Sequence, residues 1–154
     1  MSNPNDWILA KWQRNGYPTI IRMATAYRGM SSVPCYEHKV IVVVELRDPQ
    51  PSGMPQMSEY DDLEKVEFAI CAQLEAGNDS LCVLAITGCG TRDLIFYTRN
   101  AEQAKQRIEA ARTLVATHTF NAVVEPDKDW ELYGYFDQLI GQSGASAIKT
   151  SVSA

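Results

Sequence analysis

The sequence predicts an α+β fold, a βαββαβ sandwich preceded by an N-terminal β-hairpin and followed by a short C-terminal helix. Three observations predict it. Between residues 39 and 125, apolar residues recur at strand or helix spacing in the order strand, helix, strand, strand, helix, strand. Two amphipathic stretches carry matching stripes, Leu63, Val66, Ile70, Leu74 and Ala104, Ile108, Ala111, Val115. Ahead of them, Asn15-Gly16 separates two strand-like runs, and both residues tolerate the positive φ of a tight hairpin turn.

Each element has its own local reason. Residues 7–14 alternate Ile8, Ala10 and Trp12, and residues 17–27 are rich in β-branched and apolar side chains, so they read as the two hairpin strands. Residues 28–37 form a loop with Gly29 and Pro34. In the strand at 39–47, Val40, Val42, Val44 and Leu46 point one way and Ile41 and Val43 the other. The prolines and glycine of residues 48–55 then end regular structure. A helix follows over about 59–76. Ser58 with Asp61 makes a capping-box pattern at its start, and Gly77 with Asn78 makes a stop at its end.

Strands at 80–87 and 92–99 flank Gly88-Cys89-Gly90-Thr91, a tight reversal. A second helix covers 101–116, with Asn100 as its cap and Gln103 placed to reach back, and a last strand runs over 119–125. Residues 128–140 read as a short aromatic helix capped by Asp127 or Asp129. This order is the split βαβ, or ferredoxin-like, arrangement. Right-handed crossovers then put both long helices on one face of one antiparallel sheet.

The opposite face needs a cover as well, because Ile41, Val43 and alternate residues of strand 80–87 point there. Unburied, they forfeit about 25 cal/mol per Å² of apolar surface. The aromatic segment 128–140 is the favoured cover, ahead of a second copy of the chain or a partner protein.

The chain has 154 residues, of which 45% are apolar and 21% charged, which fits one globular domain. That domain is expected over 1–140, with a disordered polar tail over 141–154. The net charge is −5 and the basic residues are scattered among acids, so nucleic acid is not an expected partner, and the apolar run Val40-Ile41-Val42-Val43-Val44 is too short to cross a bilayer, so no membrane is expected either. The N-terminus shows no basic region followed by an apolar stretch, so the expected location is the cytoplasm. Cys35, Cys71, Cys82 and Cys89 form no C-x-x-C pair, and a reduced state without disulfides is expected.

No catalytic constellation is legible. His38 and His118 lack a neighbouring nucleophile in sequence and read as structural. Gly88-x-Gly90 precedes a strand rather than a helix, so it lacks the helix N-terminus that a phosphate loop needs. Cys89 sits at a hairpin tip with no evident base to activate it. Arg22 lies between Ile21 and Met23 inside an apolar strand, where a charge either pairs, lines a site or faces water. Asp129, Trp130 and Tyr133 lie on the aromatic segment, which reads either as core or as a cleft with polar tips.

Arg92-x-Leu94-x-Phe96-Tyr97-Thr98, the amphipathic helix after it, and Asp127-x-Asp129-Trp130-x-x-Tyr133 resemble a bacterial family catalogued as domain of unknown function 695. Trp12 and Pro18-Thr19-Ile20-Ile21-Arg22 fit the same pattern, and the resemblance spans most of residues 7–137. That family is similar in outline to the bacterial regulator of ribonuclease E activity, protein B, a small acidic protein that acts by binding an enzyme. The resemblance implies fold more than activity.

The function expected from these readings is a non-catalytic protein-binding or regulatory module, without cofactor or metal, whose partner is another protein or a second copy of the chain. The alternative is a small-molecule binder or hydrolytic enzyme with a cleft near the aromatic helix. The binding residues expected are Arg22, Asp129, Trp130 and Tyr133.

Overall fold

Asn15 and Gly16 both have positive φ, 53° and 83°, and this two-residue turn folds β1 (Asp6–Arg14) back on β2 (Tyr17–Ala24) with Arg14 opposite Tyr17. The computed structural model describes residues 6–142 and 147–151 of the chain. Residues 25–27, expected to continue β2, form a short 3-10 turn instead. Then follow β3 (His38–Glu45), α1 (Tyr60–Glu75), β4 (Ser80–Gly88), β5 (Thr91–Thr98), α2 (Ala101–Leu114), β6 (Phe120–Pro126), α3 (Glu131–Gln142) and β7 (Ala147–Ser151).

All strands join one antiparallel sheet in the order β6-β3-β5-β4-β2-β1-β7. The hairpin therefore extends the sheet beyond β4. Both long helices lie on one face, as expected. Leu63, Val66, Ile70 and Leu74 of α1 and Ala104, Ile108 and Ala111 of α2 pack on Val40, Val42, Val44, Leu94 and Phe96. The alternation within β3 sets that face.

The other face is covered by α3. Trp130, Tyr133, Phe136 and Ile140 pack with Ala10, Ile21, Met23, Ile95 and Tyr97, and Ile41 joins from the edge of the cluster. One detail departs from strict alternation. A β-bulge between Cys82 and Leu84 places one extra residue in β4. As a result Cys82 and Ala85 face α1 and α2, while Val83, Leu84 and Ile86 face α3.

The ends of the helices also correct the sequence reading in places. Asn100 caps α2 as expected, its side chain accepting from the Gln103 amide at 3.0 Å. The capping box at α1 does not form. A 3-10 turn (Met57–Glu59) leads into the helix, and Glu59 turns its carboxylate away to accept from the Arg47 amide at 2.9 Å. Helix α3 begins at Glu131 rather than at 128, because Trp130 takes φ 54° to close a turn on Asp127. Asp127 caps it, its two carboxylate oxygens accepting from the amides of Glu131 at 2.8 Å and Leu132 at 3.2 Å.

The polar tail expected from residue 141 is corrected as well. Residues 141 and 142 finish α3, and Ala147–Ser151 pairs antiparallel with β1, whose outer edge offers unpaired donors and acceptors. Residues 143–146 and 152–154 lie outside the described residues. The loop between β3 and α1 packs on the β4–β5 turn, where Gly53 has φ 88° and a Cβ there would stand 2.9 Å from the Cys89 backbone.

Candidate functional site

The four residues singled out in the sequence do not converge. Trp130 and Tyr133 are each 1% exposed and belong to the core under α3. The Trp130 ring stacks on Tyr97 at 4.0 Å with 8° between planes, and its Nε1 donates to the Tyr36 carbonyl at 2.8 Å. The Tyr133 hydroxyl donates to the Ala24 carbonyl at 2.7 Å. Burial comes first in raising the Tyr133 hydroxyl above its ordinary range, with the Asp137 charge next. These polar tips are consumed inside the protein, so the segment is core rather than cleft. Asp129 is exposed beside the start of α3. Arg22 stands on the other face of the sheet, because Ile21 and Met23 on either side of it point to α3.

On that other face Arg22 meets groups from four further elements. Sheet register sets two rows across the strands. Leu9 lies opposite Arg22, which lies opposite Ala85; Lys11 lies opposite Ile20, then Thr87, then Arg92. From α1, Glu67 reaches down between the arginines. One terminal nitrogen of Arg22 bonds to one oxygen of Glu67, and a terminal nitrogen of Arg92 lies 3.4 Å from the other. Arg92 also donates its Nε to the Thr87 hydroxyl at 2.9 Å. The Arg22 guanidinium lies 5.2 Å above the Trp7 ring, a cation–π contact.

Two guanidiniums thus share one carboxylate. Burial lowers the pKa of Arg92, Glu67 opposes that, and the neighbouring Arg22 charge adds to it. The Nε of Arg22 is buried and has no hydrogen-bond partner among the described residues. Leu9, Ile20, Arg22, Ala85, Thr87 and Arg92 line a small cavity of about 80 Å³ at this place. Chemically the arrangement can grip planar oxyanions through forked N–H donors.

Sequence reasoning found Arg22 and missed Glu67, Thr87 and Arg92 as its neighbours. The available signal was a charged residue within an apolar strand, together with Glu67 one position past the buried Val66 of α1.

A second polar group sits at the far end of β3. His118 Nε2 lies 2.6 Å from the Glu59 carboxylate, and its Nδ1 lies 3.0 Å from the Thr117 hydroxyl. The side chains of His118 and Glu59 are 0% and 3% exposed. Burial would raise the Glu59 pKa, but the Arg47 amide and His118 hold it below its ordinary value. An open cavity of about 420 Å³ adjoins them, lined by Glu45, Leu46, Arg47 and residues 115–119. Buried as it is, the pair acts as a tie between the entry to α1 and the entry to β6.

Among the described residues, no three His, Cys, Asp or Glu side chains gather as a metal-binding set, and no helix is long and apolar enough to cross a membrane. No curated protein and no solved structure matches the chain. The profile of a family of unknown function, DUF695, matches residues 5–139, the span that builds the hairpin, the sheet core and most of α3, and the chain belongs to that family.

Proposed function

We propose that the chain is a non-catalytic binding or regulatory module that docks a partner protein on the face of β1 and β2 beside α1. The observation that carries this reading is the surface there. Among the described residues, α1 packs chiefly along β4 and α2 along β6, and over β1 and β2 on this side helix packing is sparser, with Glu67 of α1 reaching Arg22. Leu9 and Ile20 are half-buried there, with Arg22 between them. Apolar side chains rimmed by charge are the usual composition of a recognition surface. The finer description of the core as ferredoxin-like belongs to the same proposal; it is supported by the order β6-β3-β5-β4 with both crossover helices on one face.

A cleft near the aromatic helix, the basis of the enzyme alternative, has no support from the geometry, since Trp130 and Tyr133 spend their polar atoms inside. The test is photocrosslinking from two positions. A photoreactive side chain in place of Lys11, on the β1–β2 face, is expected to capture a discrete partner in lysate of the source organism. The same group in place of Glu109, on α2, is expected to capture none in common. Equal capture from both positions, or capture from Glu109 alone, would refute the docking face.

A further inference from the structure

We infer that the cavity between Arg22 and Arg92 is a binding site for a carboxylate group beyond the one Glu67 supplies. Three observations carry it. First, the local charge is unbalanced. Arg22 and Arg92 share one carboxylate in contact, Glu67, with Glu64 acting on Arg92 only from further off and Lys11 across from Ile20 adding positive charge, in a chain whose net charge is −5. Second, a donor is left over. Arg22 spends a terminal nitrogen on Glu67, while its Nε is buried and unpartnered. An unsatisfied buried donor calls for a ligand, an ion or an ordered water. Third, the site already holds the chemistry it would bind. Glu67 presents one oxygen to each guanidinium, so the arginines are spaced to grip a carboxylate.

The cavity of about 80 Å³ has room for two or three waters at roughly 30 Å³ each, or for one group of carboxylate size. Leu9, Ile20 and Ala85 supply apolar walls, where a charge-assisted bond is stronger than in water. The carboxylate comes either from a free small acid or from an acidic side chain of a bound polypeptide. This deepens the docking reading by naming the chemistry its surface recognises, yet its test uses small probes, so a failure here leaves the docking face to be judged by the crosslinking.

The experiment follows the Arg22 Nε–Hε resonance by NMR while acetate, or a capped tetraglutamate peptide, is titrated at constant ionic strength. A saturable shift is expected that sodium chloride does not reproduce. Tighter binding of the peptide assigns the source to a polypeptide, and tighter binding of acetate assigns it to a free acid. Glu67→Gln removes the internal competitor and is expected to tighten acetate binding about tenfold, a modest share of the Coulomb energy of such a pair near a surface. Arg22→Gln is expected to abolish binding, read there from the Arg92 Nε–Hε resonance, since Arg92 lines the same cavity. The inference is overturned if neither probe moves the resonance, or if Glu67→Gln binds acetate no more tightly than the native chain. If Glu67→Gln does not fold, the native titration decides.

Discussion

Replacing Asp127 by alanine removes the group that fixes α3 to the sheet. Its side chain caps the helix through the amides of Glu131 and Leu132, and it accepts from the Tyr97 hydroxyl at 2.7 Å. Loss of an Asp cap costs about 1 kcal/mol. Leaving the Tyr97 hydroxyl as a buried donor without an acceptor costs about 1–3 kcal/mol more. That hydroxyl stays protonated at any working pH, since burial, then the bond to Asp127, push its pKa well up. The expected destabilisation is therefore about 2–4 kcal/mol, a large part of the 5–15 kcal/mol typical of a domain.

Urea unfolding measures it, as a lower midpoint at unchanged slope. Tyr97→Phe deletes the orphaned hydroxyl, so the double variant should lose less than the sum of the two single variants by about 1 kcal/mol. A midpoint for Asp127→Ala within about 0.5 kcal/mol of the native chain would refute the reasoning, and so would strict additivity.

Two other properties follow from buried groups. Glu59 has a folded pKa below its ordinary value, so its stabilising contribution is present above the ordinary carboxylate pKa and is lost as the pH falls through the folded one. Glu59→Gln should therefore flatten the acid limb of the stability profile below about pH 4.5, measured by unfolding across pH; an unchanged acid limb counts against the tie to His118. The Cys82 thiol is pushed well above its ordinary value by a thiol–thiol hydrogen bond with Cys71, then by burial, whereas Cys35 and Cys89 are exposed. Timed alkylation with mass mapping should label Cys35 and Cys89 early and Cys82 last, and early labelling of Cys82 in the folded protein would contradict this packing.

Much of the fold was legible because short-range physics specifies it. The stripe Leu63, Val66, Ile70, Leu74 repeats at 3.6 residues and is buried as read, and Asn15-Gly16 and Asn100 act through their own backbones. The need to cover Ile41 and its neighbours pointed to α3, which lies there. What escaped the sequence depends on partners far along the chain. The extra residue in β4 carries no glycine or proline to mark it, and it reveals itself only through pairing with β5. Trp130 adopts positive φ because Tyr97, Tyr36 and Asp127 hold it, against its own preference. The Arg22, Glu67, Arg92 group comes from β2, α1 and β5, and its assembly rests on the register that sets Ile20 opposite Thr87 and Thr87 opposite Arg92. Ser58 matches a capping pattern, but Glu59 finds stronger partners in Arg47 and His118.

The central claim is that a partner docks on the β1–β2 face beside α1, and the affinity of the crosslinked partner for a face variant tests it most directly. Leu9 and Ile20 are half-buried on this face, so Leu9→Glu with Ile20→Glu removes apolar contact there while the α3 core remains intact. Two apolar side chains worth about 1.5 kcal/mol each predict an affinity loss of about a hundredfold, with Lys105→Ala on α2 binding as the native chain does. Affinity of the double variant within about threefold of the native chain, with its fold confirmed by an unchanged melting transition, would contradict the account.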